Sequence, residues 1–141
     1  MLDWVFHAQA MPTNLYVALV TSAVAPTVDI NTLGQLTEIA VGNGYATGGY
    51  QLTPGATDFD VMTEDDTGDK ALVQLKDLAW TASGGPIPDS GDGARYAILT
   101  DDNGTIANRQ VIAAWDLVTD RSCTDGYSIT LEDCELQAVE P

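Results

Sequence analysis

Residues 94–117, ARYAILTDDNGTIANRQVIAAWDL, hold two apolar arms around a polar centre. In the first arm Tyr96 and Ile98 alternate with Ala97 and Leu99. In the second, Val111, Ala113 and Trp115 alternate with Ile112 and Ala114, and a period of two is the period of a strand. The DDNG centre supplies a reversal, because Asp and Asn tolerate left-handed conformations and Gly104 can adopt positive φ without a Cβ clash. Asp101 and Asp102 could instead be a pair of catalytic acids. At a solvated hairpin tip, however, neither would gain the raised pKa that general acid work needs. The arms therefore predict a core hairpin, with Val111, Ala113 and Trp115 on one face. On that reading Asp101→Ala with Asp102→Ala leaves folding intact, whereas Trp115→Ala costs about 3–5 kcal/mol.

The same signature recurs along the chain. LYVALVTSA, residues 15–23, alternates without a single charge, as expected of a strand covered on both faces. VGNGYATGGYQLTPG, from residue 41, mixes Tyr45, Tyr50 and Leu52 with five glycines, which suits a strand with a bulge or a close backbone contact. Strands are predicted at 57–62, 71–75 and 78–82, with the acidic loop TEDDTGD at 63–69 between the first two. PIPDSGDG, residues 86–93, is turn chemistry throughout. Near the end, Tyr127, Ile129 and Leu131 share a face, and the phase slips near Asp133 before Cys134, Leu136 and Val139, predicting a bulge or bend.

Helical periodicity is brief. LDWVFHAQ, residues 2–9, places Leu2, Val5 and Phe6 at helical spacing beside Trp4, a segment too short to be stable alone and expected to dock on the domain or a neighbour. NTLGQLTEIA, from residue 31, predicts a short helix with Asn31 or Thr32 as its cap and Gly34 weakening it. Seven or eight short strands with one or two helical turns in 141 residues predict a single mainly β domain, residues 1–141. The architecture expected is an antiparallel β-sandwich or jelly-roll-like barrel, residues 1–10 forming the short N-terminal helical or docking segment.

Charge bounds the partners. The chain carries 21 Asp and Glu against 5 Lys and Arg, a formal net charge of −16. Lys70, Lys76, Arg95, Arg109 and Arg121 stand singly, so no basic patch is available to displace counterions from nucleic acid or to bind an anionic membrane. No apolar run approaches 18 residues, and the opening residues lack the basic start of a signal peptide, so synthesis and folding in a cytoplasm are expected.

No constellation selects a chemistry. The glycines at 42, 44, 48 and 49 are not spaced as a phosphate loop. Asp58, Asp60, Glu64, Asp65, Asp66 and Asp69 could gather oxygen ligands, but without the order of a calcium loop they read as a solvated turn. His7 is the only histidine and reads as structural. Trp4, Trp80 and Trp115 could stack on sugar, although Trp80 and Trp115 end strands that read as core. Cys123 and Cys134 flank ten residues that as a straight strand would hold them roughly 30 Å apart, so two free thiols are expected. The expected catalytic, cofactor-binding and metal residues are none.

The ensemble of LDWVF, LYVALVTSA, TEIAVGNGYATGG, LAWTASGG, ARYAILTDD, VIAAWDL and DGYSITLEDCEL resembles a group of small tailed-bacteriophage virion proteins, the head decoration (cement) or tail-fibre-like proteins. The resemblance implies a β-rich fold without enzyme activity or cofactor, assembled in the host cytoplasm onto a virion surface. Together with a β domain that shows no site and an apolar N-terminal segment, Leu2, Trp4, Val5 and Phe6, available to dock on a neighbour, the leading expectation is a homo-oligomer, a trimer, that binds the major capsid protein and stabilises the shell. Its alternative is a tail-associated adhesin that binds host glycan through Tyr45, Tyr50 and Trp4. The two cysteines and the acidic segment at 63–69 depart from that pattern.

Overall fold

A computed structural model describes residues 10–65, 67, 68 and 70–139. The expected helical segment at 2–9, with His7 and Trp4, lies outside the described residues. Among those described, nine strands are present: β1 (Leu15–Val20), β2 (Tyr50–Leu52), β3 (Val61–Asp65), β4 (Lys70–Gln74), β5 (Leu78–Thr81), β6 (Ala94–Thr100), β7 (Val111–Arg121), β8 (Ser128–Leu131) and β9 (Glu135–Val139). Every pairing is antiparallel. The sheets run β2-β1-β6-β7, β3-β4-β9 and β5-β8, an arrangement consistent with a β-sandwich.

Sheet β2-β1-β6-β7 is covered on both faces, as the uncharged sequence of β1 requires. One face sends Val17, Leu19, Leu52, Ala97 and Leu99 into the main core, where they meet Leu78, Trp80, Ile129 and Leu131 of the β5-β8 sheet. The other face sends Ala18, Val20 and Ile98 against Leu33 and Leu36 of the 31–40 segment. That segment is not the predicted helix but a single 3-10 turn, Leu33–Gln35. Gln35 folds back and its Oε1 accepts the Asn31 and Thr32 amides at 2.7 and 3.0 Å, which closes the turn before a second can form.

The glycine-rich segment makes the close backbone contact its composition implied. Gly49, at φ 80°, lies so near β1 that an added Cβ would sit 1.9 Å from the Val17 carbonyl oxygen. Gly44 lies equally tight on Thr81, where a Cβ would come to 2.2 Å from the carbonyl oxygen.

Five predicted details change. The reversal between β6 and β7 is a ten-residue loop, 101–110, that contains a 3-10 turn, Ile106–Asn108, and Gly104 has no positive φ. Ile112 is an extra residue, since Leu99 pairs with Ala113 while Thr100 pairs with Val111. This bulge turns Val111 to the Leu33 side while Ala113 and Trp115 face the main core, so the three do not share a face. The strand expected at 57–62 begins at Val61, because the Gly55 carbonyl accepts the Asp58 and Phe59 amides and closes a turn there. The acidic stretch from 63 is strand before it is loop, Thr63, Glu64 and Asp65 pairing with Leu72, Ala71 and Lys70. Toward the end, the slip near Asp133 is a bend at φ 51° that carries the chain from β8 into a different sheet, and Tyr127 is exposed rather than aligned with Ile129 and Leu131.

Candidate functional site

Asp101 and Asp102 are fasteners. Asp101 Oδ1 accepts the Asn103 and Gln110 amides at 3.2 and 2.9 Å, and so draws the two ends of the 101–110 loop together. Asp102 points elsewhere: its Oδ2 accepts the Thr13 and Asn14 amides at 2.8 and 3.0 Å and ties down the entry to β1. Two carboxylates engaged in opposite directions by separate backbone donors are poorly placed to share a proton. Their description as a free, solvated tip is therefore corrected.

Other acids follow the same use. Asp58, nearly covered, accepts the Thr53 amide at 2.7 Å and pairs with Lys76 Nζ at 2.6 Å. The Lys76 hydrogen bond, followed by that from Thr53, lowers its pKa below the usual carboxylate range. It is withdrawn from any cation site at 58–69. Asp116 receives Arg95 Nε at 2.8 Å and the Val118 amide at 2.7 Å, and its pKa is likewise lowered, first by Arg95. Asn43 Nδ2 donates to Asp89 Oδ1 at 2.8 Å, and the Gly84 amide to Asp125 Oδ1 at 2.9 Å.

The most unusual polar group is one that the sequence reading placed inside a helix. Glu38 Oε1 accepts both Tyr45 Oη and the Gly48 amide at 2.6 Å, at the edge of an apolar hollow lined by Leu33, Leu36 and Ile106. Burial raises its pKa despite those two bonds and the Arg109 charge, and burial with the Glu38 charge raises that of Tyr45. Arg109 is itself buried; its guanidinium lies 3.6 Å from the Tyr16 ring centroid, and Nη1 donates to the Gly48 carbonyl at 3.2 Å. Gly48 thus joins Glu38 to Arg109 through its amide and its carbonyl. Tyr45 Oη also accepts the Leu19 amide at 2.9 Å, so the network anchors the 38–49 segment to β1. No spacing rule marks Glu38 or Arg109, since their partners arrive from distant segments. The only signal is a lone acid in the apolar run LTEIAV.

The aromatic residues separate. Trp80 is buried with Tyr45 at 6.3 Å and Tyr50 edge-on at 6.0 Å, ring centroid to ring centroid. Tyr45 is also buried, so its ring offers no face for stacking on a sugar, while Tyr50 is half-buried. Trp115 is only half-buried, and its Nε1 donates to the Glu135 carbonyl at 3.1 Å. Cys123 and Cys134 are both free and half-buried, and burial raises the Cys134 pKa.

Among the described residues no three His, Cys, Asp or Glu side chains are grouped to hold a metal ion, and no helix is long and apolar enough to cross a membrane. No protein-family model, no curated protein and no solved structure matches the chain.

Proposed function

We propose that this chain is a non-enzymatic virion structural protein, a capsid decoration protein that binds the assembled major capsid shell as a homo-oligomer and stabilises it. The observation that carries the reading is the deployment of its acids. The carboxylates at 58, 101, 102 and 116 fasten loops and strand ends of an antiparallel β scaffold, while the chain as a whole carries a net charge of −16. Such a domain is rigid enough to be a rivet, and its charge keeps crowded copies on a shell from adhering to other particles. A protein that binds the assembled shell and not its dissociated subunits shifts the disassembly equilibrium toward the shell by mass action. The trimeric state and the location on the outer capsid surface belong to the same proposal.

The test is the temperature of genome release from purified particles with and without the protein. Release at higher temperature with the protein, reversed when it is stripped, supports the reading. Identical release curves at saturating protein contradict it.

A further inference from the structure

Among the described residues two strand edges that carry no partner strand line one cleft: β7 is the outer strand of its sheet, and β8 pairs only with β5. Between them lies a cleft of about 550 Å³, with Trp115, Asp116 and Leu117 on one wall and every residue of 128–134 on the other. A strand that offered a face would contribute alternate residues; an unbroken run marks an edge.

The ladders fix which peptide groups point inward. The Ala82 amide donates to the Tyr127 carbonyl at 2.8 Å, which sets the phase of the β5-β8 pair. Alternation then turns the peptide groups of Ile129 and Leu131 to β5, and those of Ser128 and Thr130 to the cleft. On the facing strand the phase comes from Leu19, whose amide and carbonyl engage Tyr45 and Ile39 on the side away from β6. Hence Ala97 and Leu99 bond β7, and β7 turns Ala114 and Asp116 outward.

Each wall adjoins an exposed apolar residue. Val118, after Leu117, is 72% exposed and holds φ 69°, a costly conformation for a β-branched residue. Tyr127, before Ser128, is 70% exposed. The lining acids are Glu132, Asp133 and Asp116, of which Asp116 is already paired with Arg95, and the one lining base is Arg121.

We infer that the β7-β8 cleft is a docking site for an extended segment of a partner protein, which adds as a strand and carries lysine or arginine beside apolar side chains. The four residues of β8 offer a seat about 13 Å long. Backbone bonds to Ser128 and Thr130 hold the segment, alternate side chains meet Trp115 and Leu117, and its basic groups meet the acidic rim. Pairing this edge with the same edge of a second copy would set Asp116, Glu132 and Asp133 against their own counterparts, so a second copy is disfavoured at this cleft. The shell-binding proposal would gain a contact surface from this, but the inference stands apart from it, because the probe is a peptide and not a particle.

The probe is a six-residue blocked peptide in which lysine and threonine alternate with valine, compared with the same peptide N-methylated at alternate backbone nitrogens. The unmethylated peptide is expected to bind saturably and to slow hydrogen exchange of the Ser128 and Thr130 amides. Thr130→Pro, which removes a cleft-facing donor and no β5 bond, is expected to weaken binding about tenfold, while Thr130→Val retains it. Equal binding of the two peptides, no saturation, or unchanged affinity in a folded Thr130→Pro variant would overturn the inference. So would concentration-dependent self-association of the wild type that Thr130→Pro abolishes, since the edge would then belong to a second copy. Should Thr130→Pro not fold, the comparison of the two peptides on the wild-type protein decides.

Discussion

Replacing each of the two described tryptophans by alanine separates this architecture from the symmetrical one that the sequence suggests. Trp80 is 4% exposed and lies between Tyr45 and Tyr50, whereas Trp115 is half-buried on the outer strand β7. Burying roughly 200 Å² of tryptophan at about 25 cal/mol/Å² corresponds to about 5 kcal/mol. Trp80→Ala leaves a cavity and breaks two ring contacts, so a loss of about 4–5 kcal/mol is expected. Trp115 is only partly covered and adds one hydrogen bond to the Glu135 carbonyl, so its loss is expected to be smaller, at about 2 kcal/mol. For a domain of this size the first corresponds to a fall in Tm of about 12–20 °C and the second to about 5–8 °C. Urea unfolding followed by circular dichroism, with a common m-value, measures both. A Trp115→Ala loss equal to or greater than that of Trp80→Ala would refute the placement of β7 at the sheet edge.

Four further outcomes are expected. Asp102→Ala should destabilise the protein by about 1 kcal/mol and speed exchange of the Thr13 and Asn14 amides selectively, and unchanged exchange there would refute its fastening role. Gly49→Ala should cost more than about 2 kcal/mol, because positive φ and the Val17 carbonyl both oppose a Cβ; a neutral result in thermal unfolding would contradict the close approach. Glu38 has a raised folded-state pKa, so its contribution is favourable below the usual carboxylate pKa and is lost as pH rises through the folded value; Glu38→Gln should therefore equal or exceed wild-type stability at pH 7 and converge with it near pH 4. Asp58 has a lowered one, so its contribution is present above the ordinary value and lost as pH falls through the folded value, and Asp58→Asn should flatten that acid limb of the stability curve.

Where one residue fixes its own surroundings, the sequence is readable. The uncharged β1, the alternating β6 and β8, and the glycines against β1 and β5 all follow from period and from the absence of a Cβ. Three kinds of feature do not. The bulge at Ile112 depends on pairing with Leu99 and Thr100, and no local signal announces an extra residue between two apolar neighbours. The turn at 55–59 arises from an Asp58 that is held by Thr53 and Lys76, whereas its neighbours suggest only an exposed acid. The Glu38, Tyr45, Gly48 and Arg109 network joins segments up to 71 residues apart, through bonds that only the folded chain brings together. Asp101 and Asp102 show the same lesson in reverse, since adjacency in sequence suggested a pair and the fold sends them to different partners.

The most direct test of the account is a mass-spectrometric count of copies of this protein in purified virus-like or phage particles from cells that carry its gene. Hundreds of copies per particle, in fixed ratio to the major capsid protein, are predicted. A few dozen copies or fewer, or absence from the particle, would contradict a decoration protein.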